Sequence, residues 1–252
     1  GALPDRVAGR VEIEGVTFGY RPGVPVVEGA DLEIRPGERV AIVGETGAGK
    51  STLARLVLRF YDPVEGRVLV DGIDLKTVTA ADRARHVVLI PQEGFLFNGT
   101  LRDNLRYARP DAADERLWEA CREVGIDAWA RALPERLDTL VRERGTRFSS
   151  GERQLVALAR ALLADPAVIV LDEATSNLDP ETEVRVEQAL VRVLEGRTAI
   201  VIAHRMRTAV SADRVVMMDG GRIVAVGPHA ELAAADPGYA RLVEVWERGL
   251  LR

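Results

Sequence analysis

The residues best suited to chemistry are "GETGAGKS" at positions 44–51, set between the apolar run "RVAIV" and the stretch "TLARLVLRF". Gly44, Gly47 and Gly49 allow a backbone turn tight enough for its N–H groups to converge on one anion. A helix opening at Lys50 adds the partial positive charge of its N-terminus, about half a unit. The Lys50 ammonium then reaches the β- and γ-phosphates of a nucleotide, and the Ser51 hydroxyl is placed to ligate Mg²⁺. The plain alternative is a glycine-rich turn beside an exposed lysine. The spacing G-x-x-x-x-G-K-S, with a strand before it and a helix after it, favours a nucleotide.

Two carboxylates stand where such a turn needs them. Asp172 closes the apolar run "AVIVLD" at 167–172, so its carboxylate falls at a strand end and faces the metal. Glu173 follows at once and can orient or deprotonate an attacking water. An acidic pair opening a loop is common at strand ends, and only the glycine turn separates the two readings. The stretch "RFSSGERQLVALARALLADP" at 147–166 offers a second anion site. Ser149 and Glu152 form a capping box, and Leu155, Leu158, Leu162 and Leu163 follow at helical spacing. The Ser-Ser-Gly turn then offers backbone N–H groups at a helix start. Taken alone, this stretch is better read as simply a well-capped helix.

The elements that must position these residues alternate strand and helix. "RVAIVG" (39–44), "HVVLI" (86–90), "AVIVLD" (167–172) and "TAIVIAH" (198–204) are short, β-branched and apolar on both faces. That pattern suits a parallel sheet covered by helices. Lys50–Phe60 carries Leu53, Leu56, Val57 and Phe60 at helical spacing. A helix over Pro180–Leu194 has Asp179 as its N-cap, Pro180 at its first position and a stop at Gly196. "VEIEGVTFGY", "ADLEIRPG" and "GRVLVDGIDL" read as antiparallel strands, and "RVVMMDGGRIVAVG" as a hairpin about Gly220-Gly221. The expected architecture is an α/β fold, a parallel-sheet core with an N-terminal antiparallel β subdomain. A helical subdomain over about 94–166 is inserted in that core, and a helical segment over about 228–252 ends the chain. No internal repeat and no low-complexity linker is present.

Composition sets the outer bounds. The 252 residues suffice for one domain with an inserted lobe, and 47% hydrophobic and 29% charged residues are ordinary for a globular protein. A net charge of −5 supplies no global basic field, so no nucleic-acid partner is expected. The lone cysteine, Cys121, cannot form an internal disulfide and lies in an apparent helix as a small hydrophobe. No apolar run approaches the roughly 20 residues that span a bilayer, and the opening residues do not read as a signal peptide. A first residue of Gly rather than Met suggests a piece excised from a longer polypeptide.

Over nearly its whole length the sequence resembles the nucleotide-binding domain of an ATP-binding cassette (ABC) transporter, the exporter type most closely. "GETGAGKS" is similar to the Walker A motif, and "VIVLDE" to Walker B with its catalytic glutamate. "FSSGE" sits where the family's signature, usually LSGGQ, is found. Gln92 is similar to the Q-loop glutamine, "SNLD" (176–179) to the D-loop, His204 to the switch histidine and Tyr20 to the aromatic A-loop residue.

The resemblance implies a P-loop, RecA-like core that binds ATP with Mg²⁺ and hydrolyses it. It assigns catalysis to Lys50, Gln92, Glu173 and His204, and the metal to Ser51, Gln92 and Asp172. Nucleotide contacts fall to Tyr20, Gly44, Glu45, Thr46, Gly47, Ala48, Gly49, Lys50, Ser51 and Thr52. Ser149 and Gly151 would cap the γ-phosphate bound by a partner, because two such domains pair head to tail around two ATP. Transmembrane domains would be engaged through the Q-loop and the cross-talk loop (X-loop), with the domain on the cytoplasmic face of the membrane. Taken residue by residue, Tyr20 also reads as a surface aromatic, Gln92 as a polar strand-end residue and His204 as a satisfied strand-end histidine. His86 and His229 match no motif and are expected to be structural, while Asp179 suits both a helix cap and a contact across the dimer.

Departures from the family pattern concentrate in the signature. Phe148 stands for Leu, Ser150 for Gly and Glu152 for Gln, and Arg142 stands where a glycine usually precedes Glu-Arg-Gly in the X-loop. Serine restricts the backbone beside the phosphate, and Glu152 brings a negative charge toward another anion. The residues for this chain's own ATP are intact, so the asymmetry favours a heterodimer over a homodimer. Other readings are an importer ATPase, a soluble ABC ATPase acting on nucleic acid or ribosomes, marked by salt-dependent binding, and a nucleotide-gated module without catalysis.

Overall fold

The computed structural model describes residues 1–4, 6–91, 93–141, 148–173 and 178–250. In chain order, strands β1 (Val11–Phe18), β2 (Val27–Ile34) and β3 (Arg39–Val43) lead to helix α1 (Lys50–Val57). Strands β4 (Glu65–Val70) and β5 (Ile73–Asp74), helix α2 (Ala80–His86) and strand β6 (Val87–Ile90) follow. Next come β7 (Gly99–Thr100), α3 (Leu101–Arg106), α4 (Asp114–Glu123), α5 (Asp127–Ala132), β8 (Leu140–Val141) and α6 (Ser150–Ala164). The chain then runs through β9 (Val168–Asp172), α7 (Pro180–Leu194), β10 (Thr198–Ile202) and α8 (Met206–Ser211). It ends with the hairpin β11 (Arg214–Asp219) and β12 (Arg222–Gly227) and helices α9 (His229–Ala235) and α10 (Pro237–Leu250).

These elements form two units. The first, Gly1–Leu89, Ala167–Glu173 and Gly196–Arg252, holds both large sheets. A six-stranded sheet runs β12-β11-β3-β10-β9-β6, and a four-stranded sheet runs β2-β1-β4-β5. β3 pairs in parallel with β10 and β11, and β10 in parallel with β9, while β12 returns antiparallel to β11. Parallel pairing of β3, β9 and β10 sets their C-terminal ends side by side, where an open α/β sheet binds its ligand.

Alternation along β3 explains why it is apolar throughout. Val40 and Ile42 join a core with Leu53 and Leu56 of α1 and Ile13 and Ile34 of the antiparallel sheet. Ala41 and Val43 face the opposite layer, with Ala209 of α8 and Tyr239 of α10. Each fully buried aliphatic side chain is worth about 1.5–3 kcal/mol, against about 0–1 kcal/mol for an exposed ion pair such as Arg222–Glu28. The apolar layers therefore hold the sheet.

The helix expected over Lys50–Phe60 is shorter. It ends at Val57, because Arg59 turns into the left-handed region (φ 49°) and donates to the Leu75 and Val78 carbonyls. Phe60 is thereby lifted out of the apolar face and is 54% exposed.

The second unit, Ile90–Pro166 with Ala174–Glu195, is helical apart from the short β7–β8 ladder. Helix α6 packs against α3, α4 and α7. Asp179 Oδ1 accepts from the Thr182 N–H at 3.0 Å, Pro180 opens α7, and the helix spans Pro180–Leu194. Gly196 follows with φ 71°. Bonding to Thr182 holds the Asp179 carboxyl below its ordinary range. Cys121 is fully buried on α4, and burial pushes its thiol up to about 12, so it behaves as a small hydrophobe. His229 is structural too, its Nδ1 lying 2.7 Å from the hydroxyl of the buried Tyr239.

Candidate functional site

The glycine turn joins the end of β3 to the start of α1. Gly47 has φ 84° and Gly49 φ 98°, a region that favours glycine. A Cβ at Gly47 would point into open space, whereas one at Gly49 would lie 2.7 Å from the Val26 carbonyl oxygen. One glycine shapes the turn and the other lets β2's approach pass behind it. The turn is pinned from outside as well, because the Gly221 N–H donates to the Ala48 carbonyl at 3.1 Å. Glu45, Thr46 and Gly47 line its exposed rim.

Lys50 closes the turn. Only 6% exposed, its Nζ donates to the carbonyls of Gly44 at 2.6 Å and Glu45 at 2.8 Å. Burial lowers its pKa, and the Asp172 charge partly opposes that shift. The exposed Ser51, next along α1, offers a hard oxygen donor, as does Asp172 at the end of β9, the chemistry Mg²⁺ selects. A cationic cradle beside hydroxyl and carboxylate oxygens fits a magnesium nucleotide.

The ends of β9 and β10 carry the other groups. His204 Nε2 lies 3.6 Å from Asp172 Oδ1, so the two side chains stand together. Glu173 is turned toward the segment after β10. Its Oε2 accepts from the backbone N–H of His204 at 2.6 Å and Arg205 at 3.1 Å, and its Oε1 from the Thr208 hydroxyl. Thr208 carries no motif and escaped the sequence reading; its signal was a hydroxyl four residues after His204. Gln92, the X-loop residues 142–147 and residues 176–177 of the D-loop lie outside the described residues.

Tyr20 is 46% exposed, with ring centroids of Phe18 at 5.2 Å and Tyr61 at 5.3 Å, both edge-on. Its hydroxyl lies 3.0 Å from the Thr52 hydroxyl and accepts from Arg55 Nη1 at 3.1 Å. The buried Thr52 of α1 thus fixes a half-exposed aromatic plate whose position follows that of the glycine turn.

In the second unit, α6 opens with the expected capping box. The Glu152 N–H donates to Ser149 Oγ at 3.1 Å, and Glu152 Oε2 accepts from the Ser149 N–H at 2.8 Å. One of the donors expected to be available at this turn is therefore taken by Glu152. Arg153 straddles the same turn, its Nη2 donating to Ser150 Oγ at 3.2 Å. Gly151 is required by packing, since a Cβ there would lie 2.1 Å from Thr182 Cγ2 of α7.

Fold and site together define an ATP-binding P-loop ATPase with a helical subdomain. A family model described as ABC transporter matches residues 27–176, and the chain belongs to that family. The ATP-dependent lipid A-core flippase of Chromohalobacter salexigens is 44% identical over 95% of this chain and 42% of its own length. The mycobactin import ATP-binding/permease protein IrtA of Mycolicibacterium thermoresistibile is 46% identical over 96% of this chain and 26% of its own. A bacterial Atm1-family ABC exporter with ATP bound matches with a TM-score of 0.86 at 38% identity, covering 99% of this chain and 44% of that one. The chain thus spans less than half the length of each of these relatives. Among the described residues no helix is long and apolar enough to cross a membrane.

Proposed function

We propose that this chain is the motor domain of an ABC exporter, coupling ATP hydrolysis to movement of a substrate across a membrane from its cytoplasmic face. The observation that carries the reading is the buried Lys50, folded over the glycine turn and facing Asp172, with Glu173 and His204 at adjoining strand ends. Backbone N–H groups of residues 44–52 and Lys50 would bind the phosphates, and Tyr20 would stack on the adenine. Ser51, Asp172 and Gln92 would hold Mg²⁺, which neutralises phosphate charge when bound. Glu173 would take the proton of the attacking water, and His204 would hold the γ-phosphate.

Ser149 and Gly151 would complete the site of a second cassette, and the heterodimer is favoured over the homodimer. Transmembrane domains would dock through the Q-loop and X-loop. Cassette likeness to an exporter and to a flippase supports export. The mycobactin import relative, at 46% identity, supports a second reading in which the same motor drives uptake. The two readings share all the chemistry above and part in the membrane portion.

The test is Glu173→Gln. Nucleotide titration is expected to show unchanged ATP binding, while steady-state turnover falls by about 10²–10⁴, or roughly 3–5 kcal/mol of barrier. Near-normal turnover would overturn the role given to Glu173.

A further inference from the structure

The hydrogen bonds of Glu173 lead back to one short run of chain. Its N–H donates to the Ile202 carbonyl at 3.1 Å, and its carboxylate accepts from residues 204, 205 and 208. The two backbone donors both fall on Oε2. A carboxylate held at one oxygen pivots about that oxygen, and a third donor on Oε1 removes the freedom. Thr208 supplies it from a half-buried position on α8. The Lys50 ammonium instead donates to the Gly44 and Glu45 carbonyls, outside the 204–208 segment. Glu173 and His204 are thus set as one piece.

We propose that Thr208 is a positioning residue for Glu173: its hydroxyl fixes the orientation of the carboxylate on the segment that carries His204. The inference rests on Glu173 being the base. The effect falls on turnover and spares nucleotide binding, because the Thr208 hydroxyl bonds Glu173 and not Lys50 or the glycine turn. Small misplacements of a reacting group are costly, up to about 10²-fold for 1 Å.

The experiment compares Thr208→Val, Thr208→Ala, Thr208→Ser and Glu173→Gln, each with a second cassette supplied, by steady-state ATP hydrolysis. Val and Ala are expected to lower kcat by about tenfold with KM for ATP within about twofold, and Ser to restore most of the loss. Melting of the nucleotide-free chain supplies an independent readout. Thr208→Val is expected to lower Tm in the parent chain and to leave Tm unchanged in a Glu173→Ala background. Parent-like kcat in both donor-less variants, failure of Ser to restore turnover, or equal Tm shifts in both backgrounds would overturn the proposal. An inactive Glu173→Gln beside unimpaired Thr208 variants overturns this inference alone, whereas an active Glu173→Gln overturns the reading of Glu173.

Discussion

At the scale of single residues, the site divides into groups fixed by backbone and groups fixed by other side chains. Lys50 and the glycines belong to the first kind, and their spacing made them legible in the sequence. Tyr20 belongs to the second. Its phenol is tied to Thr52 and Arg55, and its ring leans on the edges of Phe18 and Tyr61. Removing the ring removes a stacking surface worth about 1–3 kcal/mol, so Tyr20→Ala is expected to weaken ATP binding about 5- to 150-fold. Tyr20→Phe keeps both edge contacts and is expected to stay within about threefold, since the two hydrogen bonds it loses go to Thr52 and Arg55 and not to the nucleotide. Fluorescence titration with nucleotide separates the two. Equal losses in both variants would show that the hydroxyl anchor, rather than the stacking face, governs affinity. Thr208 was invisible to the sequence for the same reason that Thr52's bond to Tyr20 was. A bond between side chains brought together by folding leaves no spacing to read.

At the scale of elements, the helix starts were legible and some helix ends were not. Ser149 with Glu152, and Asp179 with Pro180, announce α6 and α7 because a cap is a local bargain between neighbouring residues. The end of α1 depends instead on Arg59 reaching the carbonyls of Leu75 and Val78, contacts 16 and 19 residues away. No window on the helix contains that information, and Phe60 was assigned to the wrong side for lack of it. The same locality allows capping to be separated from ligand binding. Thr100 caps α3 by a box with Asp103, as Ser149 caps α6 with Glu152. Thr100→Ala and Ser149→Ala are each expected to destabilise the fold by about 1 kcal/mol, measured as a shift in denaturant midpoint at constant m. Only Ser149→Ala is expected also to depress turnover when a second cassette is supplied. A parallel loss of turnover in Thr100→Ala would show that helix stability, rather than the Ser149 hydroxyl, limits the partner's site.

At the scale of the whole molecule, the question is whether two copies of this chain close around ATP. The signature turn is where the sequence departs from the family pattern, and two of its contacts bear on the question. Glu152 keeps its carboxylate on the Ser149 N–H, so its negative charge sits on the turn that would meet the partner's γ-phosphate. Arg153 bonds Ser150 Oγ where the family usually has a glycine, and its Nη1 lies 3.5 Å from the Phe148 carbonyl oxygen. A glutamine at 152 can accept the same Ser149 N–H without the charge, so the capping box survives the substitution while the repulsion does not. In a Glu173→Gln background, expected to bind ATP without turning it over, the chain is expected to remain monomeric by light scattering in Mg-ATP. Adding Ser150→Gly and Glu152→Gln is expected to shift its mass to that of a dimer. If Glu173→Gln alone gives the dimer, the native turn is sufficient and the functional unit is a pair of identical cassettes. A monomer in both variants, with ATP binding intact, would place the limit outside the turn, in surfaces that only the membrane domains hold in register.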